Sequence, residues 1–363
     1  MGKKINSLVF LLLCTVIAYS QDQNTSVNVQ VKDSSQNFFK KKLVDFVQIR
    51  FDINTNITEF KFNNPAPLRN FNVLPNQNYH SRITAGYKWL TLAYSFVPKI
   101  GSINNNEDLK GKSTVFGLDF TLNFSNSQHH LFYKKTDGYY LSNSDTYRYE
   151  LNLSGVFDKY AKLPNFKSVQ IGIDNFYYFN GKKFSSQFAR NQSEIQVKSA
   201  GSLVSFFGFY YSKIDGSKQD FSFLQFLLDQ GNIYPYINKS YYAVAGTGYA
   251  YNYILPKNFY VTAMAIPAVG VQFSRLGFPL NYPSKNSTEM TVAGIAELSL
   301  GYNGVNWFGG IFGNYTGYTS PTATNKLAGS QAYTMVFIGY RFKAPKVLEK
   351  VFGYANDKIE KIK

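Results

Sequence analysis

Apolar residues in this chain come in alternation and seldom in long runs. In TVFGLDFTLNF (114–124) the large apolar positions are Phe116, Leu118, Phe120, Leu122 and Phe124, with Gly117, Asp119, Thr121 and Asn123 between them. A period of two is a strand with one greasy face and one polar face. The same pattern returns at Val47, Ile49, Phe51 and Ile53, at Leu90, Leu92, Tyr94 and Phe96, at Tyr149, Leu151 and Leu153, and at Val336, Ile338, Tyr340 and Phe342. Beyond residue 20 no stretch reaches the ~18 apolar residues that a membrane-spanning helix needs. Any crossing of a bilayer therefore falls to strands.

The decisive question is what solvent the greasy faces meet. Of the residues, 18% are aromatic, with 29 Tyr and 33 Phe, while only 17% are charged. In a water-soluble sandwich the outer face would be rich in Lys and Glu. Here the polar faces hold Gly, Ser, Thr, Asn and a few charges of mixed sign: Arg50, Asp52, Arg82, Lys88, Asp119, Arg148, Glu150, Asp174, Glu297 and Arg341. Small polar residues with paired charges suit an interior crowded by its own side chains. Aromatics gather near strand ends, as in FYYF (176–179) and YAYNY (249–253), where interfacial girdles belong. The pattern predicts lipid on the greasy faces and these ten charges in a lumen.

Connections fall into two kinds. Some are short, as at Lys88–Trp89, Ser125–Gln128, Gly181–Lys183, Leu255–Asn258 and Gly301–Val305; others are long and polar, as at 54–78, 98–112, 214–240, 271–288 and 318–330. Short turns at one end and long loops at the other mark an all-β, transmembrane, antiparallel up-and-down barrel. About 14 strands are expected, with 12 as the fallback, since single-chain bacterial barrels carry an even number. The segment 147–156 is needed for an even count, and 128–135, 184–195 and 258–270 carry the weakest alternation. The segment 258–270 carries Pro267, which a central strand tolerates poorly. The division expected is 1–20 leader, 21–45 polar segment, 46–342 barrel and 343–363 basic amphipathic tail. In the tail, Val347, Leu348, Val351 and Phe352 share one helical face, so it forms a helix suited to the inner leaflet surface.

The first residues, MGKKINSLVFLLLCTVIAYS, have a basic start, an apolar run from Leu8 to Ile17, and small residues at Ala18 and Ser20. They read as a secretory signal cut between Ser20 and Gln21. The lone Cys14 lies inside it, after Leu13, so lipidation is not expected and the mature chain is without thiols. Disulfides, thiolate metal sites and cysteine nucleophiles are thereby excluded. The formal charge of +16 falls by two on loss of Lys3 and Lys4. For an exported chain the polyanion to consider is outer-leaflet lipopolysaccharide, not nucleic acid. The expected partners are outer-membrane lipid, lipopolysaccharide and, during biogenesis, the barrel-assembly machinery; the expected location is the outer membrane of a Gram-negative-type bacterium.

Several stretches carry a family resemblance. They are SRITAGYKWLTLAYSFVPK (81–99), KFSSQFARNQSEIQVKSAGSLVSFFGFYYS (183–212), VAGTGYAYNYILPKNFYV (244–261), GYYL (138–141) and YRFKAPK (340–346). Together, and in this order, they resemble the domain-of-unknown-function 4421 family. The second block departs from the family's Gln-x-x-Lys-Ser-Ala-Gly spacing, since one residue separates Gln196 from Lys198. The resemblance implies an outer-membrane β-barrel of Bacteroidetes-type bacteria and brings no activity, cofactor or site residue with it.

Catalytic signals are sparse. There are three histidines, His80, His129 and His130. His80 lies at a strand end, where a lipid-modifying enzyme would place a base, but Ser81 points to the opposite face and is not its partner. His129 and His130 fall beside a short turn and make at most a weak metal site. LKGKST (109–114) is not a phosphate loop, because it leads into a strand and not a helix. FSFLQFLLDQ (221–230) is an apolar stretch within a long loop, suited to simple packing, a plug or a rim patch. No catalytic, cofactor or metal residue is assigned. The leading expectation is a pore for passive or gated passage of a small polar solute. A non-transporting structural or surface-binding barrel is the alternative, with a lipid-modifying enzyme third. Ion pairs filling the lumen would favour a closed barrel, and water along it a conduit.

Overall fold

In the computed structural model the described residues are 39–58, 60–62, 71–77, 79–98, 106–145, 159–219, 237–278, 283–319 and 329–360. The expected leader, the apolar stretch 221–230 and the segment 147–156 lie outside them. In chain order the strands are β1 (Lys40–Lys42), β2 (Phe46–Thr58), β3 (Phe60–Phe62), β4 (Phe71–Leu74), β5 (His80–Tyr87), β6 (Leu90–Phe96), β7 (Thr114–Asn123), β8 (Ser127–Leu141) and β9 (Ala161–Tyr178). They continue as β10 (Glu194–Gln196), β11 (Ala200–Asp215), β12 (Ile237–Ile254), β13 (Phe259–Gly277), β14 (Lys285–Asn303), β15 (Trp307–Thr319) and β16 (Gly329–Lys343). The α-helices are α1 (Glu107–Lys110), α2 (Gln187–Arg190) and α3 (Lys346–Glu360).

Twelve strands close a ring. β2 pairs with β5, and the order runs on through β6, β7, β8, β9, β11, β12, β13, β14, β15 and β16, which returns to β2. Every pairing is antiparallel, so the wall is an up-and-down barrel with no free edge. Twelve, and not fourteen, is the wall count among the described residues. The segment 184–195, expected as a wall strand, turns into the lumen instead. As a strand it would set either Arg190 and Gln192 or Ser185, Gln187 and Asn191 against lipid, which no wall position tolerates cheaply. The β3–β4 hairpin leaves the ring and adds to the end of β8, through Val73 opposite Leu141.

The outer surface answers the question of solvent. Leu118 and Phe120 of the opening motif face out, while Thr121 and Asn123 are buried inside. Met290, Val336, Leu298 and Leu203 are each more than half exposed on the outside of a closed ring. Apolar side chains in that position form a lipid-facing belt. At the short-turn end the belt meets aromatics, with Trp307 against Tyr340 at 4.8 Å and Phe259 against Tyr302 at 5.6 Å between ring centroids. Among the described residues no helix is long and apolar enough to cross a membrane. Helix α3 follows β16 and sets the Phe352 ring on Tyr87 and Trp89, at 4.9 and 5.4 Å, leaving Val347 and Val351 exposed.

Pro267 stands inside β13, within the segment expected as a strand although a central strand tolerates proline poorly. Its ring nitrogen has no proton to give, and the β12 pairing lapses beside it, between the pairs Gly246–Ala268 and Tyr249–Ala265. The other edge stays paired, with Pro267 opposite Gly294 on β14.

The interior is divided. Strands β2, β5, β7 and β8 turn Arg50, Asp52, Arg82, Asp119, Gln128 and His130 inward. Strands β11 to β14 turn Val204, Phe206, Val244, Met264, Ile266 and Ile295 inward, as one apolar cluster. The expected small-polar lining is therefore interrupted on β11 to β14, where Ser202, Asn252, Thr262, Thr291 and Ser299 share the inner face with that cluster.

Candidate functional site

After β9 the chain enters the barrel from the short-turn end. Phe184 stacks on Tyr178 at 5.4 Å, and Phe188 packs on Tyr260 at 4.6 Å. These two aromatics, four residues apart, draw the segment in. Helix α2 is a single turn, too short to be stable by itself, and the wall supplies the partners that its backbone lacks. The Nδ2 of Asn252 donates to the carbonyl of Ser185 at 2.9 Å, and that of Asn303 to the carbonyl of Glu194 at 3.2 Å. Arg50 Nη1 donates to the carbonyl of Arg190 at 2.7 Å. Arg341 Nε donates to the carbonyl of Gln192 at 2.8 Å, Nη1 to that of Gly304 at 2.6 Å, and Nη2 to Asn303 Oδ1 at 2.6 Å. Two wall arginines thus grip the in-turned backbone.

The in-turned segment grips back. Arg190 Nε donates to Glu297 Oε2 on β14 at 2.8 Å, its Nη2 donates to Oε1 of the same carboxylate, and its Nη1 donates to Gln128 Oε1 on β8 at 2.8 Å. Its guanidinium lies 4.1 Å over the Phe176 ring of β9. One side chain therefore ties together three stretches of wall. Burial opposes its charge, the Glu297 carboxylate more than offsets that, and its pKa lies above the ordinary guanidinium value. Asn314 steadies Glu297 with a 3.0 Å hydrogen bond.

The same segment is joined to the chain's N-terminal side. β10 pairs with β1, placing Lys40 opposite Gln196 and Lys42 opposite Glu194. Lys40 Nζ lies 3.3 Å from Glu194 Oε2, both side chains nearly inaccessible, and Ser185 donates to the same carboxylate at 2.6 Å.

Above this floor runs a chain of polar contacts. Arg82 Nη2 is 3.4 Å from Asp119, Asp119 is 2.9 Å from His130 Nε2, and His130 Nδ1 is 3.1 Å from Asp174. Tyr210 donates to the other oxygen of Asp174. Ionised carboxylates only accept, so a ring with both nitrogens on carboxylates has the geometry of an imidazolium. Gly172 makes room for this arrangement: a Cβ there would come within 2.5 Å of both Phe132 and Tyr210.

These groups line a cavity of about 320 Å³, floored by Arg190 and Asn191. Its polar side is Arg82, Asp119, His130, Lys134 and Asp174; its apolar side is Val244, Ala293, Ile295, Phe312 and Met335.

Of the ten charges expected in the lumen, Arg50, Asp52, Arg82, Asp119, Asp174, Glu297 and Arg341 are there. Lys88 is not: it sits in the β5–β6 turn with φ of 51°, its Nζ over the Tyr87 ring. Arg148 and Glu150 lie outside the described residues. His130 lies within β8 and points inward; His129 bonds to Asn175 and Ser127 on the other face, so the pair does not share a ligand. His80 also lines the cavity, where a lipid-acting base would face outward; its Nε2 has no hydrogen-bond partner among the described residues. Arg190, His130, Lys134 and Gln192 were not anticipated as lumen residues. For His130 the signal was present, since it shares its period-two face with Gln128, Phe132 and Lys134.

The family described as domain of unknown function (DUF4421) matches residues 31–342. A search of curated proteins finds no match. Among solved structures, the translocator domain of autotransporter NalP from Neisseria meningitidis aligns at 10% identity, over 94% of this chain and 98% of that one, with a TM-score of 0.38. The outer membrane protease OmpT from Escherichia coli aligns at 8% identity, over 84% and 98%, with a TM-score of 0.32. The COG4313 outer membrane channel from Pseudomonas putida F1 aligns at 9% identity, over 86% and 100%, with a TM-score of 0.32. None of these values carries an activity across.

Proposed function

The chain belongs to the DUF4421 family, and from that premise we propose that it is an outer-membrane barrel, closed at rest, that passes a small solute when the in-turned segment 179–199 moves. The observation that carries this reading is the clamp between Arg190 and Glu297. A segment needed only to fill the lumen would do so best with apolar side chains, since buried ion pairs are weak stabilisers. Polar ties made through several directed hydrogen bonds are separable and specific, as a gate requires. The N-terminal strand β1, paired to the segment through β10, gives a second handle on it from the short-turn side.

The ion pairs also favour a second reading, a closed barrel that binds a ligand without passing it. Planar-bilayer recordings of the refolded full chain and of Arg190→Ala separate the two. The gated reading expects a mostly silent wild type and a steadily conducting variant. Silence from a folded Arg190→Ala chain would remove passage and leave binding.

A further inference from the structure

We infer that the lumen cavity is a binding site for a small amphipathic monoanion: a carboxylate head on a compact apolar body. The inference names the solute class for the gated barrel proposed above and rests on that reading for its role.

The cavity holds about 320 Å³, at the lower end of the roughly 300–1,000 Å³ typical of small-molecule sites. A sugar-sized polar solute would leave one wall unsatisfied. Val244, Ala293, Ile295, Phe312 and Met335 present an apolar surface from β12, β14, β15 and β16, beside Thr291, Asn314 and Thr316 on the same strands, and a wholly polar guest gains nothing against the apolar part. A hydrocarbon would be equally mismatched on the opposite wall. There Arg82, His130 and Asp174 keep 19, 25 and 18% of their side chains accessible inside the barrel, and an apolar guest would strip water from them without replacing its hydrogen bonds. Only a guest with one polar end and one apolar end satisfies both walls.

The sign of the head follows from the charges. The lining has Arg50, Arg82, Lys134, Arg190 and the His130 imidazolium against Asp119, Asp174 and Glu297. Asp52, 3.4 Å from Arg50, adds a fourth carboxylate behind the lining. One positive charge remains in excess, and each of the three lining carboxylates already accepts from Arg82, His130, Tyr210 or Arg190. An incoming anion completes the balance, whereas an incoming cation would have to compete with these internal partners.

The test is calorimetric titration of the full chain, folded in detergent micelles, with 4-phenylbutyrate, 4-phenylbutanol and 4-phenylbutylamine. Protein-free micelles supply the partitioning blank. No conductance is involved, so the outcome is independent of whether the barrel opens. The three probes share one apolar body, and one charge-assisted contact distinguishes them by about tenfold in affinity. Expected are saturable binding of the acid at one per chain, weaker binding of the alcohol and the weakest of the amine. Lys134→Gln should bring the acid down towards the alcohol, with the heat-modifiable gel mobility of a folded barrel unchanged. Ile295→Glu, which sets a carboxylate on the apolar wall, should abolish acid binding. Equal binding of acid and amine, or acid uptake no greater than the micelle blank, would overturn the inference whichever variants fold.

Discussion

Arg190 and Glu297 meet across the inside of the barrel, one on a single-turn helix that enters from below, the other on the wall strand β14, with Nε and Oε2 2.8 Å apart. They are separated by 107 residues in sequence, and their contact holds the floor of the lumen in place. Removing either partner leaves the other charge buried and unpaired, which typically costs about 3–5 kcal/mol. Glu297→Gln should therefore behave like Arg190→Ala and raise the frequency of openings. The exchange Arg190→Glu with Glu297→Arg should return the barrel towards silence. A double-mutant cycle on open probability checks this; additive effects would show that the pair is not coupled.

The link between Lys40 and Glu194 is buried on both sides and braced by Ser185. Glu194→Ala should free β1 from β10 without unfolding the wall. Limited proteolysis of the folded barrel should then cut near residues 40–42 far faster than in the wild type, while the wall strands stay resistant. Unchanged protection at 40–42 would mean that the strand pairing alone holds β1.

The outward belt makes a thermodynamic prediction. Leu298 and Val336 face away from the lumen within long strands. Arg at either position should destabilise the folded barrel in vesicles by about 2–4 kcal/mol. The measurement is reversible unfolding by denaturant, and an effect below about 1 kcal/mol would place these side chains outside hydrocarbon.

Gly172 faces the lumen between the rings of Phe132 and Tyr210. Gly172→Val should displace Tyr210 from Asp174 and cost about 1–3 kcal/mol by overpacking. The same change at Gly294, where a Cβ meets nothing within 4 Å, should cost less. Denaturant midpoints of the two variants, compared side by side, decide it.

The wall was legible because lipid enforces a strict alternation on every strand: Phe116, Leu118 and Phe120 cannot trade faces with Asp119 and Thr121 without putting a carboxylate in hydrocarbon. The interior was less legible, because it obeys no such rule. On β13 both faces are apolar, with Met264 and Ile266 inside and Val261 and Val269 outside, so period two does not say which is which. Lys88 shares its parity with Arg82 and Thr84, but the chain has already entered the turn there, and φ of 51° carries the side chain out of the series. In the in-turned segment, expected as wall, Phe184 and Phe188 of FSSQFAR stand four residues apart. That spacing of four is also one face of a helical turn, and the carboxylate that receives Arg190 lies 107 residues away, beyond any local pattern.

The proposed gating requires the in-turned segment to close the lumen and to move for passage. Asn191 Nδ2 on that segment lies 2.5 Å from Asn123 Oδ1 on β7, and the sequence has one native cysteine, Cys14. A cysteine pair at Asn123 and Asn191, made in the conducting Arg190→Ala background, would let one disulfide hold the segment shut. Single-channel conductance of the refolded chain in a planar bilayer should then vanish on oxidation and return on reduction. Conductance unchanged by the disulfide would contradict the account, because solute would be passing a floor that had not moved.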